Sequence, residues 1–190
     1  MTGNVAAAWS GVLEPYHLPP DCVGPVLYAG GASSVYDRAR YEALGGFETV
    51  YRPMYFEDIE LGYRAWRRGW RSLFEPGASV FHQRRAWIGT RFSDAQANER
   101  FLRNGLLFVW KNVRDPVMVA QNCAYVCARL LCELLRGDGT MARAALGALP
   151  RFERMLVRRW TDRRRGDLSD EQILELSRPR PCTPTEEAAR

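Results

Sequence analysis

Lysine is almost missing from this chain: of its 27 basic residues, all but Lys111 are arginines. Histidine occurs only at His17 and His82, which excludes a metal site built on several imidazoles. The five cysteines (Cys22, Cys123, Cys127, Cys132 and Cys182) are odd in number, and no two have C-x-x-C spacing. Neither a disulfide framework nor a cysteine-bound zinc is therefore expected. Cys123 and Cys127 lie four apart, on one face of an apolar helix where a buried free thiol is expected. No secretory leader opens the sequence, so a reducing, cytoplasmic setting is the expectation. No internal repeat is present. The best candidate for a membrane span, PVMVAQNCAYVCARLLCELL (116–135), is interrupted by Gln121, Asn122, Arg129 and Glu133. It reads instead as a helix buried against protein or lying in a membrane interface. Finger, helix-turn-helix and RNP signatures are absent, so nucleic acid is not an expected partner.

What is there describes a folded protein. Hydrophobic residues make up 46% and aromatics 12%, too much for a disordered chain. A length of 190 residues allows one domain, or a small domain with a helical appendage. The net charge of +5 is carried by arginine. That bias follows either from a GC-rich coding sequence or from recognition of phosphate and carboxylate, which the planar guanidinium grips with two bonds.

Residues 1–24 carry Pro15, Pro19 and Pro20 without a sustained period and are expected to be an irregular entry segment. Residues 26–29 and 33–36 read as short strands flanking Gly30 and Gly31. Asp37 can cap a helix running to Leu44, stopped by Gly45 and Gly46 before Phe47 turns inward. Over 57–69, the positions Ile59, Tyr63, Trp66 and Trp70 make one apolar helical face, with Arg64, Arg67 and Arg68 off it. RSLFEP and ASVFHQ read as two strands around a turn at Glu75-Pro76-Gly77. Beyond His82 the pattern is helical: 93–112, 116–136, one or two helices over 140–165 around Pro150, and SDEQILELS (169–177) with a capping pattern. The expected layout is an entry segment (1–24), an α/β unit (25–92), a helical region (93–177) and a disordered tail (178–190).

The ordered set GGAS, LGGF, YFEDIELGYRAWRRGW and EPGASVFH, over residues 30–82, resembles the inverting family 2 glycosyltransferases. It is similar in particular to the acceptor-side half of the bacterial, rhamnosyltransferase-like branch. RFLRNGLLFVWKNVRDP (100–116) is similar to the helix that follows the catalytic domain there. The resemblance spans about residues 25–165. It implies an α/β, partial glycosyltransferase-A-type fold followed by an α-helical C-terminal region. It implies transfer of a sugar, with inversion, from a nucleotide-sugar donor to a saccharide or lipid-linked acceptor in cell-surface polysaccharide synthesis. Such enzymes begin with a nucleotide-binding βαβ half ending in an Asp-x-Asp that holds Mn²⁺ or Mg²⁺. The chain contains no Asp-x-Asp. A half of that kind needs on the order of a hundred residues. The chain is therefore expected to be inactive alone and to need the missing donor half in cis or in trans. The alternative is a non-catalytic module or relic that binds saccharide, lipid or a partner subunit.

Acids in a first helical turn are favoured by the macrodipole whatever else they do, so Glu57 and Asp58 have an ordinary structural explanation. An inverting transfer, however, needs a base for the acceptor hydroxyl. The resemblance gives that role to Asp58, with Glu57 orienting the acceptor. It makes His82 a metal ligand beside the absent Asp-x-Asp. It has Gly30, Gly31 and Ala32 let the backbone approach the sugars. Arg84, Arg85 and Arg91 are expected in a mobile loop closing on the leaving diphosphate. His17 has no supporting neighbours and carries no role. From Arg151 to Arg165, arginines interleaved with Phe152, Leu156 and Trp160 fit a plain surface helix or one attracted to the inner membrane surface.

Overall fold

The computed structural model describes residues 5–17, 24–75, 77–78, 80, 86–162 and 168–178. Among them, four short strands form two antiparallel pairs. Strands β1 (Val5–Trp9) and β2 (Leu13–His17) make a hairpin. Strands β3 (Gly24–Val26) and β4 (Ser72–Phe74) pair Gly24 with Phe74 and Val26 with Ser72. The helices are α1 (Arg38–Leu44), α2 (Glu57–Arg67), α3 (Ala86–Arg91), α4 (Asp94–Asn112), α5 (Pro116–Arg136), α6 (Thr140–Ala148), α7 (Phe152–Asp162) and α8 (Asp170–Leu176). A 3-10 turn with Pro150 joins α6 to α7.

Helix ends follow local chemistry. Asp37 caps α1 by accepting from the Arg40 N–H, and Gly45 at φ +81° closes it. Ser93 with Gln96, and Ser169 with Gln172, form complete capping boxes on α4 and α8. Asp115 caps α5, whose first residue is Pro116.

Helix α2 is the centre of the molecule. Its Ile59, Tyr63 and Trp66 are buried with Leu27, Tyr28, Leu107, Phe108 and Ile173. Trp66 Nε1 donates to the Val26 carbonyl at 2.9 Å. Gly62 lies against the same segment so closely that a Cβ there would stand 2.5 Å from the Leu27 oxygen and 2.7 Å from Tyr28 Cα. Only glycine permits this approach, which fixes α2 across residues 26–28. On its other side Glu60, fully buried, holds Arg64 through both carboxylate oxygens (2.7 and 2.8 Å) and pairs with Lys111 of α4. Burial alone would raise the Glu60 pKa, but Lys111 and Arg64 outweigh it and hold the carboxyl below its usual range. Near the far end of α2, Asp170 accepts from Tyr63 Oη at 2.6 Å, from Arg67, and from the Arg114 and Asp115 N–H groups, both at 2.6 Å. This ties α8 to α2 and to the start of α5.

Several expectations are corrected. The entry segment is not irregular where it is described: 5–17 is the β1–β2 hairpin, turned at Gly11 (φ +90°) and held to α5. Asn122 donates to the Gly11 carbonyl at 2.7 Å and Trp9 Nε1 to Gln121 at 2.7 Å. Residues 33–36 do not form a strand. The Ser33 N–H and Ser34 Oγ both bond the Gly30 carbonyl and Tyr36 Oη bonds that of Ala29, which curls the segment back on its own backbone. The strand expected over 78–83 lies almost wholly outside the described residues, as does the tail beyond Arg178. Phe47 is not turned inward. It is 36% exposed, edge-on to Tyr36 and Tyr41.

Helix α5 brings the largest correction. Cys123 and Cys127 are exposed, not buried. The helix presents Met118, Asn122 and Glu133 to the protein and turns Val117, Leu131, Leu134 and Leu135 outward. Its polar residues have partners inside: Asn122 at the hairpin, and Glu133, which takes Arg129 and the Met141 N–H. The helix is therefore docked by a mixed face, Met118 in the core and Val119 packed against it, beside Asn122 and Glu133.

Candidate active site

The site forms where α2 begins. Tyr55 and Phe56, neither of them glycine, have φ of +70° and +75°, a strained turn immediately before the acid pair. Phe56 is the N-cap residue of α2 and offers no side-chain cap. Its ring is instead buried against Phe101 and Phe108 of α4, at 5.1 and 5.7 Å between centroids. Asp58 partly replaces the missing cap: its Oδ1 accepts from the Ile59 N–H at 2.8 Å. Its Oδ2 accepts from the Gly31 N–H at 3.1 Å, across 27 residues of sequence. Two separate motifs, the glycine turn and the acid pair, thus meet at a single hydrogen bond.

The electrostatics of the pair follow from burial. The Asp58 carboxyl is pushed up from its usual range by burial, against the N–H groups of Gly31 and Ile59 that favour its charged form. Glu57 is also raised by burial, and further by the charge of Asp58. The Glu57 Oε2 is buried and, among the described residues, lacks a hydrogen-bond partner. Burial first, and the Asp58 charge second, raise the Tyr28 hydroxyl well above its usual value. Together these describe a half-buried carboxylate with raised proton affinity beside unused hydrogen-bonding capacity, the character expected of a proton acceptor in a cleft.

Gly30, Gly31 and Ala32 lie in the turn facing Asp58. A Cβ on Gly31 would meet Asp58 Cβ at 3.9 Å, an ordinary contact, and one on Gly30 would come no nearer than 3.9 Å to Ser33 Oγ. The fold itself does not demand glycine at either position. His82, Arg84 and Arg85 lie outside the described residues. Arg91 is the last residue of α3, a short helix where a loop was expected, and is exposed. Among the described residues no group of three or more His, Cys, Asp or Glu side chains could hold a metal ion.

Two residues at the site carried no role in the sequence reading. Glu60 shares the first turn with Glu57 and Asp58 but points the other way, into Arg64 and Lys111; its i,i+4 spacing from Arg64 was the available signal. Asn104 of α4 is fully buried and donates its amide to the carbonyls of Tyr51 (2.7 Å), Met54 (2.7 Å) and Tyr55 (2.9 Å). No local pattern announces it.

No family model matches the chain, and no solved structure matches it. Over 76 residues, 40% of the chain, it is 37% identical to the N-acetylglucosaminyl-diphospho-decaprenol L-rhamnosyltransferase of Mycobacterium tuberculosis, in strains CDC 1551 / Oshkosh and ATCC 25618 / H37Rv alike. The chain spans about a quarter of the length of these curated relatives, the match covering 24% of each. This partial similarity supports a glycosyltransferase-like relationship.

Proposed function

We propose that the chain is the acceptor-side, base-carrying part of an inverting, family 2 nucleotide-sugar glycosyltransferase, a partial glycosyltransferase-A-type unit with a helical C-terminal region. The observation that carries this reading is the contact of Asp58 with Gly31. It sets a carboxylate of raised proton affinity over a turn in which the fold does not require the glycines. In the proposed reaction Asp58 takes the proton of an acceptor hydroxyl as its oxygen attacks the anomeric carbon of the donor sugar. The bond to the nucleoside diphosphate breaks on the opposite face, and the diphosphate leaves with that electron pair. The hydrogen bond from Gly31 keeps the carboxylate aimed before transfer. Glu57, with its unpartnered oxygen, is placed to accept from a second acceptor hydroxyl. A divalent metal, Mn²⁺ or Mg²⁺, would offset charge on the leaving diphosphate in the whole enzyme. On this reading its ligands would be His82 and carboxylates supplied by the donor-binding half.

The relative's printed name suggests an N-acetylglucosaminyl-diphospho-polyprenol as the acceptor class. A surface contact with the inner face of the membrane accompanies this proposal. It is supported by the outward leucines of α5 and by Phe152, Leu156 and Trp160, exposed on α7 among Arg151, Arg154 and Arg158.

The test has two parts. Amide spectra of the isolated chain are followed while a water-soluble N-acetylglucosaminyl-diphospho-prenol analogue is added. Shifts centred on residues 30–32 and 57–59 are expected, and none there at saturating ligand would overturn the acceptor-side assignment. The chain is then joined to the donor-binding half of the mycobacterial relative and sugar transfer is assayed. Asp58→Asn is expected to lower kcat by roughly a hundredfold or more. An unchanged kcat would remove Asp58 from the base role and leave a binding module.

A further inference from the structure

The turn that delivers Asp58 is expensive to hold. Two consecutive residues with side chains sit at positive φ, a strained conformation that persists only where its surroundings impose it. What imposes it comes from α4. Phe101 and Phe108 pack on Phe56, Phe101 lies edge-on to Tyr55 at 5.8 Å, and Gly105 leaves room for the Phe56 ring, which a Cβ there would meet at 3.4 Å. At the middle of this face stands Asn104. Its amide has two hydrogens, and three carbonyls of the turn lie within 2.9 Å of the nitrogen. Its own oxygen is taken by Arg103 Nε at 3.0 Å, and Arg103 also donates to the Arg52 carbonyl at 3.0 Å. The carbonyls that Asn104 gathers have few other options. They belong to residues 51–55, where the backbone leaves one 3-10 turn and has not yet entered α2. A buried carbonyl without a donor destabilises the fold, and here one side-chain amide is shared among three.

We propose that Asn104 is a positioning residue for the acid pair: by gathering the Tyr51, Met54 and Tyr55 carbonyls it holds the Tyr55–Phe56 turn, and so keeps Asp58 against Gly31. The proposal rests on the functional reading above only for its consequence in sugar transfer; the positioning is a property of this chain and is measured in it. Without the Asn104 amide, Tyr55 and Phe56 relax toward negative φ, α2 starts later, and Asp58 swings off Gly31 into solvent. The body of α2 stays in place through Trp66, Gly62 and the Glu60 and Asp170 clusters, none of which touches Asn104.

The experiment compares the wild-type chain with Asn104→Ala, with Asn104→Gln as the variant that keeps the amide donors, and with Leu107→Val as a volume loss in the same helix away from the turn. Three signals are read: exchange of the Gly31 amide, the carboxyl titration of Asp58, and the carboxyl titration of Asp170 as an internal control. In Asn104→Ala the Gly31 amide is expected to exchange at least about tenfold faster. The Asp58 titration is expected to move down toward the ordinary carboxylate range as its burial is lost, although loss of the Gly31 bond alone would move it up. Asp170 should not move. Asn104→Gln should restore part of both changes, and Leu107→Val neither. If Asn104→Ala is too unstable to record, Asn104→Gln alone decides: intermediate exchange at Gly31 with Asp170 unmoved supports the proposal. Gly31 and Asp58 signals that match wild type in Asn104→Ala overturn it, as do an Asp170 shift equal to that of Asp58 in Asn104→Gln and an equal effect of Leu107→Val. The functional reading fails separately. If these signals shift as expected while Asp58→Asn leaves transfer by the joined enzyme unchanged, the positioning stands and the base assignment falls.

Discussion

The leading residues of α2 and the anchored body of the helix meet acids in opposite states. Glu57 and Asp58 have been taken partly out of water, with no compensating cation among the described residues, and burial pushes their carboxyls up. Glu60, two residues later and buried completely, is held down by Lys111 and Arg64. Asp170, docked on the last turns, is also buried and also held down: Tyr63, Arg67 and two backbone N–H groups outweigh the cost of burial. Within one helix, the anchoring part is saturated with partners and the leading part is not. Acids that stabilise a fold are paired when buried, because an unpaired one costs more than it returns. Carboxylates pushed up by burial at a strained helix start are therefore the ones to suspect of chemistry.

This contrast can be broken at the anchoring end first, where the largest effect is expected. The chain's single lysine is almost fully buried, paired with Glu60 and 3.7 and 3.6 Å from oxygens of Glu48 and Asp162. Lys111→Met removes the cation and leaves those carboxylates behind. A loss of roughly 3–5 kcal/mol is expected, measured by urea denaturation. Lys111→Arg is not conservative here. The guanidinium is broader than the ammonium, and Arg64 already occupies the far side of Glu60, so a loss of about 1–3 kcal/mol is expected from overpacking. An Arg variant as stable as wild type would show that the cluster has slack.

How much of this could be seen beforehand divides along the same line. The elements with local signals were legible: Asp37 and Gly45 around α1, the capping boxes of α4 and α8, the apolar face of α2. The β1–β2 hairpin was not, because VAAAW carries no alternation and its support comes from Asn122 and Gln121, over a hundred residues away. Periodicity gives a helix its faces but not which face meets protein, and on α5 the outward choice left Cys123 and Cys127 exposed. At the site, Asp58 could be singled out through spacing and resemblance. Its bond to Gly31 and the hold of Asn104 on the preceding turn exist only once α2 has been laid across residues 26–28 and against α4.

The second break is smaller and depends on pH. Asp170 has a lowered folded pKa, so the stability it supplies is present above the unfolded value of about 3.9 and is lost as pH falls through the folded one. Asp170→Asn should therefore cost about 2 kcal/mol at pH 7, through the Arg67 and N–H bonds it weakens. That cost should shrink as pH falls toward 3. Thermal melts of both proteins at pH 7, 5 and 3.5 check it, and a difference that does not narrow would mean that Asp170 acts by shape rather than by charge.

The smallest effect has the opposite sign and separates the two groups of acids most directly. Asp58 has a raised folded pKa, so the fold prefers its protonated form. Stability tied to that preference is fully present below the unfolded pKa and is lost as pH rises through the folded one. At pH 7 the ionised carboxylate is a cost, offset in part by the Gly31 and Ile59 N–H groups. Asn at this position removes the charge and keeps one oxygen, an acceptor for one of those two donors. Asp58→Asn is thus expected to leave the chain as stable as wild type or up to about 1 kcal/mol more stable at pH 7, with the gain vanishing in acid. Measured in the same melts, the Asp58→Asn and Asp170→Asn differences should have opposite signs at neutral pH and both narrow toward the acidic end. If Asp58→Asn instead destabilises the chain at pH 7 as Asp170→Asn does, Asp58 is one more structural cap, and α2 has no functional end. A stabilising loss of charge, joined to a loss of transfer in the complete enzyme, is what a carboxylate kept for chemistry requires.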